Sequence, residues 1–319
     1  MPLRILLVKT SSLGDIVHNL PVVSDLRLRF PDAEIDWVVE EGFGELPVLH
    51  PGIRRVYVVA VRRWRRSLFR RQTWQEIAAF RSVLAACPYD IVLDTQGLLK
   101  SAWIAQLTQG VRHGLDWASA REPLAVFYDH THAIPWTAHA VERNRQLAAE
   151  ALDYRLEHSP SYGIRAAPMQ FDCLGTSRYV VLMHATSASE KLWPEDRWMA
   201  LGSALGFRGF ACVFPWGNDG ERERARRLSR GVAGAVVPDR FSLSALASLL
   251  AGASGVAGTD TGLTHLAGAL GVPTVGIYCA TDPDATGLYA CDRAANLGGP
   301  GQCPESGAVL DRLLSLMES

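Results

Sequence analysis

Short runs of apolar, often β-branched residues recur along this chain, each followed by a polar loop and a helix-length stretch. Arg4 to Lys9, Ile35 to Val39, Val56 to Val61, Ile91 to Leu93 and Val111 to Leu115 read as strands. Helices are expected from Ile16 to Phe30, Gln75 to Ala86 and Leu98 to Thr108. Strands separated by helices of this length form a mostly parallel sheet covered on both faces. Open sheets of that kind bind ligands beyond the C-terminal ends of their strands. The loops that follow the apolar runs are therefore where function is to be sought.

The pattern stops and restarts. After a helical stretch from Thr137 to Leu152, the segments Glu157-His-Ser-Pro160-Ser-Tyr-Gly163 and Ala166-Ala-Pro168 read as a linker. Strands then follow at Tyr179 to Met183, Ala211 to Phe214, Ala235 to Val237, Ala253 to Ala257 and Val272 to Tyr278. They alternate with helices at Glu195 to Leu205, Gly220 to Arg230, Ser242 to Ala251 and Leu263 to Leu270. A chain of 319 residues is long for one core. The expected organisation is a first α/β domain over residues 1–160, a linker over 161–175, a second over 176–304, and a closing helix within 305–319 that packs back on the first domain. Both domains read as doubly wound and Rossmann-like.

Composition excludes several classes. Apolar residues make up 48% and charged residues 20%, so nothing argues for disorder. The six cysteines show no C-x-x-C spacing, which argues against a zinc site or a redox pair and favours a reducing setting. Phe241 to Thr259 is uncharged, but its repeated Ser and Gly make it a poor membrane span. The first strand is followed by no G-x-G-x-x-G, and G-x-x-x-x-G-K-[ST] is absent, which removes the main support for a dehydrogenase or a P-loop enzyme.

The loops themselves carry chemistry. Gly258-Thr-Asp260-Thr261-Gly262-Leu-Thr264-His265 joins a strand to a helix, so it reads either as a plain capped turn or as a phosphate cradle built from helix N–H groups and hydroxyls. His184-Ala-Thr186-Ser187, with Lys191 beyond, offers donors and a charge suited to phosphate. Lysine occurs only at Lys9, Lys100 and Lys191, each after a strand-like run, while arginine supplies the general surface charge. Asp15, opening a helix after the first strand, reads as a helix-dipole carboxylate or as a general base. Glu221 suits a cap or a ribose contact, and Phe241 a core position or a base-stacking ring. From Arg54 to Arg71 there are eight arginines and no acid, with Trp64 and Phe69 among them. That run fits a solvated face, a nucleic-acid contact, or a polyanionic substrate or anionic lipid surface.

Taken in order, Lys9-Thr-Ser-Ser-Leu-Gly-Asp15, Trp37-Val-Val-Glu-Glu-Gly42, Arg62-Arg-Trp-Arg65, Asp94-Thr-Gln-Gly97-Leu-Leu-Lys100-Ser, Arg121-Glu-Pro, His139-Ala-Val-Glu-Arg143, His184-Ala-Thr186, Lys191-Leu-Trp-Pro194, Pro215-Trp-Gly217 and Asp260-Thr-Gly-Leu-Thr-His265 resemble the ADP-heptose:lipopolysaccharide heptosyltransferase family along nearly the whole chain. The resemblance implies a GT-B fold, with two Rossmann-like domains facing each other across a cleft, and an inverting glycosyltransferase. It implies Asp15 as the catalytic base. Thr186, Ser187, Lys191, Glu221, Phe241, Asp260, Thr261, Gly262 and His265 would bind an ADP-heptose donor. Ser12, Gly14, Arg62, Arg63, Arg65, Arg66, Lys100, Arg121, His139 and Arg143 would bind a Kdo-bearing lipid A acceptor. It implies no metal, no cofactor and no nucleic-acid partner, and a peripheral site on the anionic cytoplasmic face of the bacterial inner membrane. Leu13 and the Thr10–Ser12 loop favour transfer directly to Kdo over the second-heptose reaction. A non-catalytic basic module for anionic lipid or nucleic acid is the reading from a different class.

Overall fold

A computed structural model describes residues 2–175 and 178–318. Thr176 and Ser177, where the second domain was expected to begin, lie outside the described residues, as do Met1 and Ser319. The chain divides into two compact units, Met1–Ile164 and Arg165–Ser319.

The first unit holds a six-stranded sheet in the order β3-β2-β1-β4-β5-β6. Its strands are β1 (Arg4–Val8), β2 (Glu34–Glu40), β3 (Arg55–Val59), β4 (Pro88–Asp94), β5 (Gln109–Leu115) and β6 (His130–His132), and every pairing is parallel. Ile5 to Val8 are fully buried, as expected of a central strand covered on both faces. Strand β6 carries His-Thr-His and no apolar run, so the sequence pattern does not announce it. The helix expected from Ile16 to Phe30 is broken into Leu13–Val17 and Leu20–Arg29. Pro21 explains the break, because its ring and missing N–H cannot continue the turn that precedes it. The start of the expected linker is anchored on this unit. Tyr162 and Ile164 are buried, and Gly163, at φ +64°, lies where a Cβ would come within 2.4 Å of His50 Nε2.

The second unit holds a five-stranded parallel sheet in the order β11-β10-β9-β7-β8, formed by β7 (Tyr179–Met183), β8 (Ala211–Val213), β9 (Gly255–Thr259), β10 (Thr274–Tyr278) and β11 (Ala294–Gly298). The strand expected from Ala235 to Val237 is reduced to a single bridge between Val213 and Val236. Strand β11, Ala-Ala-Asn-Leu-Gly, escapes the reading because it has no β-branched residue.

The closing helix, Ser306–Glu318, lies within the second unit. Val309, Leu310, Leu313 and Leu316 enter the second unit's core beside Trp198, Leu201 and Ile277. Its apolar face is thus covered within that unit. The cysteine spacing also concealed a pair, for Cys279 and Cys303 are joined in a disulfide. The chain turns back after β11, and the Gly301 N–H donates to the Cys279 carbonyl at 3.0 Å, which returns Cys303 to the end of β10.

Candidate active site

In an open parallel sheet a crevice forms where the strand order reverses. That point lies between β1 and β4 in the first unit, and between β7 and β9 in the second. The loops singled out from the sequence leave these four strands: residues 10–15 and 95–100 in the first unit, 184–191 and 260–265 in the second.

In the second unit both loops converge on one carboxylate. Lys191 Nζ donates to Asp260 Oδ2 at 2.7 Å and Thr281 Oγ1 donates to the same oxygen at 2.8 Å. His265 Nε2 lies 3.4 Å from Oδ1, and Thr186 Oγ1 donates to the Asp260 carbonyl at 2.9 Å. Burial by itself raises the Asp260 pKa, but the hydrogen bonds from His265, Lys191 and Thr281 outweigh it and hold the carboxyl far below the usual range. Gly258 is required where β9 ends, because Thr264 folds back to donate to the Thr259 carbonyl at 2.8 Å. A Cβ on Gly258 would meet Thr264 Oγ1 at 2.1 Å.

The helix Gly262–Ala269 starts here. Thr261 occupies the N-cap position, and its side chain makes no cap hydrogen bond. The Thr264 N–H donates to the Thr261 carbonyl at 3.0 Å, so the Gly262 and Leu263 N–H groups, at the positive end of the helix dipole, are the ones suited to another acceptor. Ser187 is exposed. Glu221 is engaged otherwise. Its Oε2 accepts from the Gly217 N–H and its Oε1 from Asn218 Nδ2, both at 2.7 Å, which fixes the Pro215-Trp216-Gly217 turn. Phe241 is half-buried against Phe171, ring centroids 5.1 Å apart, a partner that the sequence reading did not find.

The first unit's crevice is built around Asp15. The Ser12 N–H and Oγ donate to Asp15 Oδ2 at 2.6 and 3.0 Å. Both bonds fall on one oxygen, which leaves Oδ1 to accept from elsewhere. Gly14 lies in the same short helix and its carbonyl accepts from the His18 N–H at 2.9 Å. Gln96, which sequence reasoning missed, fixes the loop: its Oε1 accepts from the N–H groups of Thr10 and Ser11, each at 2.9 Å. Lys9 is buried and donates to the Thr95 carbonyl at 2.7 Å. Lys100 reaches Ser11 Oγ at 2.5 Å. Its pKa is lowered first by burial and next by Arg62, with Glu40 and Asp15 opposing and Arg65 adding to the depression.

The expected acceptor arginines divide into groups. Arg121 and Arg143 share one ring, at 5.6 and 3.7 Å from the Trp136 centroid. Burial and Arg121 lower the Arg143 pKa. His139 caps the helix Ala140–Ala151 through Nδ1 and packs edge-on against His18. Arg62 lies over Phe43, and Arg65 and Arg66 are exposed. Arg63 is already paired, with Glu41 at 3.0 Å and Glu76 at 2.7 Å, so it has the least charge to offer a ligand. Glu40 and Gln96 lie inside motifs singled out from the sequence but were given no role there, and Trp136 lies in none of them. Among the described residues no group of three or more His, Cys, Asp or Glu is placed to hold a metal ion.

Two parallel sheets, one with a phosphate-suited helix start and the other with a cation-lined carboxylate, define a sugar-nucleotide transferase of the GT-B class. The E. coli heptosyltransferase WaaC with ADP matches at TM-score 0.91 and 39% identity, over 98% of this chain and 100% of that one. Lipopolysaccharide heptosyltransferase 1 of Pseudomonas aeruginosa is 46% identical over 90% of this chain and 81% of its own length, and that of E. coli K12 is 43% identical over 90% and 91%. The model for glycosyltransferase family 9 (heptosyltransferase) matches residues 77–308. The chain belongs to that family and is a heptosyltransferase of lipopolysaccharide inner-core synthesis. The non-catalytic reading is thereby set aside.

Proposed function

We propose that the enzyme moves L-glycero-D-manno-heptose from ADP-heptose to a Kdo residue of Kdo-bearing lipid A, with inversion at the anomeric carbon. The donor class is supported by an E. coli relative solved with ADP-2-deoxy-2-fluoro heptose, at TM-score 0.84 and 39% identity. The observation that carries the reading is the convergence of Thr186, Lys191 and Thr281 on Asp260, which joins both loops of the second crevice into one cradle. Lys191, the Thr261–Gly262 N–H groups and the hydroxyls of Thr186 and Ser187 face the diphosphate. His265 and Asp260 order the heptose side, with Phe241 at the adenine and the Pro215–Gly217 turn, which Glu221 fixes, at the ribose. As the glycosidic bond breaks, negative charge grows on the leaving diphosphate, so donors fixed beforehand act selectively on the transition state.

Asp15 Oδ1 takes the proton of the acceptor hydroxyl as its oxygen attacks the anomeric carbon, and ADP leaves from the opposite face. Ser12 and Gly14 hold Asp15 in place. Lys100, His139 and the arginines at 62, 65, 66, 121 and 143 bind the acceptor's carboxylates and phosphates, with Arg63, paired to Glu41 and Glu76, contributing least. The arginine run further suits contact with an anionic membrane on the cytoplasmic face. No helix among the described residues is long and apolar enough to cross a membrane. The test is incubation with ADP-heptose and Kdo-lipid A, alongside UDP- and GDP-sugars and an already heptosylated acceptor. The expected result is transfer only from ADP-heptose to the unheptosylated acceptor. Preference for the heptosylated one would favour the second-heptose reaction; E. coli heptosyltransferase II, at 19% identity, shares the fold.

A further inference from the structure

The turn between the helices Val61–Trp64 and Arg71–Ala85 presents apolar side chains to water. Phe69 is fully exposed at 106%, Trp74 is exposed at 58% and Leu68 at 45%. This turn is tightly held. The Ser67 N–H donates to the Trp64 carbonyl at 2.9 Å and the Arg70 N–H to the Ser67 carbonyl at 3.0 Å. Thr73 Oγ1 donates to the Ser67 carbonyl and Trp74 Nε1 to the Leu68 carbonyl, both at 2.8 Å. Beneath it, Trp64 is buried against Phe80 and donates to Glu76 at 2.8 Å. The backbone is thus set so that Leu68 and Phe69 point away from the core, where no neighbour repays their exposure.

The surrounding charge is one-sided. Arg65, Arg66, Arg70 and Arg71 are exposed and form no ion pair among the described residues, whereas Arg63 is neutralised by Glu41 and Glu76. Cations ringing an apolar tip fit an anionic bilayer. Basic residues are drawn to its surface, and apolar and aromatic groups enter the interfacial layer. The two contributions differ in their response to salt, since charge attraction is screened over about 8–10 Å at ordinary ionic strength and apolar burial is not.

We propose that Leu68, Phe69 and Trp74 form a wedge that enters the interface of an anionic bilayer, while Arg65, Arg66, Arg70 and Arg71 lie on its headgroups. The proposal rests on the membrane contact read above and adds to it a component that salt does not remove.

The test uses the full chain and sedimentation with vesicles of phosphatidylethanolamine and phosphatidylglycerol, at low and high salt. Wild type is expected to bind at low salt and to keep a measurable fraction bound at high salt. The double variant L68S/F69S should lose partitioning on the order of tenfold and lose all binding at high salt. It should retain wild-type ADP affinity and wild-type transfer to a deacylated, water-soluble acceptor, which shows that it is folded. R70A/R71A should weaken binding chiefly at low salt. If L68S/F69S binds vesicles like wild type while R70A/R71A weakens, the wedge is overturned and the electrostatic contact stands. If wild type ignores anionic vesicles altogether, both fall. If it binds single-stranded oligonucleotide instead, through Phe69, the tip is a base-stacking surface and the proposal is wrong.

Discussion

The two crevices occupy equivalent places in their sheets and treat charge in opposite ways. At the second, Lys191 is neutralised by Asp260, and Thr281 and His265 complete the set. At the first, burial and then Arg62 lower the Lys100 pKa, and Arg121 and Arg143 crowd one indole. A cradle that is internally balanced is already ordered before its ligand arrives. A crevice with surplus like charge is relieved only when a polyanion enters. The contrast matches a compact diphosphate in one unit and a larger, multiply charged acceptor in the other.

Breaking either side should have distinct consequences. The largest effect is expected for Asp15→Asn, a loss of about 10²- to 10⁴-fold in turnover, measured in single-turnover transfer. Next is Lys191→Ala, which should weaken the donor and slow transfer, about 10²- to 10³-fold in kcat if its charge serves the leaving diphosphate. Asp260→Asn should lower stability by about 1–3 kcal/mol through its unpaired buried partners, read as a shift in chemical denaturation, and should raise the donor KM.

Lys100 sharpens the comparison through pH. Its folded pKa lies below the free lysine value of 10.5, so the folded chain binds fewer protons than the unfolded one in the window beneath that value. The free enzyme should therefore gain stability as pH rises through that window. Binding of the anionic acceptor at alkaline pH should take up a proton, detectable by calorimetry in buffers of different ionisation enthalpy. Lys100→Met should remove the uptake. The smallest effect is expected for Trp136→Leu, which frees two guanidiniums: the acceptor KM should rise by about two- to fivefold, with kcat little changed and Trp136→Phe largely restoring it.

Much of this was readable from the chain, because apolar periodicity and strand-end loops are local signals. Residues 10–15, 95–100, 184–191 and 260–265 were found that way, and all four loops lie at the reversal points of their sheets. Pairings between distant residues were not readable. Thr281 reaches Asp260 across 21 residues from outside any motif, and Gln96 grips Ser11 across 85 from inside a motif that does not announce the pairing. Cys279 and Cys303 likewise meet only because β11 returns the chain to the end of β10. Glu221 illustrates the converse, a residue with a nucleotide-like position whose carboxylate is already committed to its own turn.

The division of labour between the crevices is tested most directly by titrating ADP into Asp15→Asn and Lys191→Ala, with heptose transfer followed on the same preparations. Asp15→Asn should bind ADP as wild type does and fail to transfer, whereas Lys191→Ala should lose ADP affinity. Equal loss of ADP binding in both variants, or transfer retained by Asp15→Asn, would contradict the account.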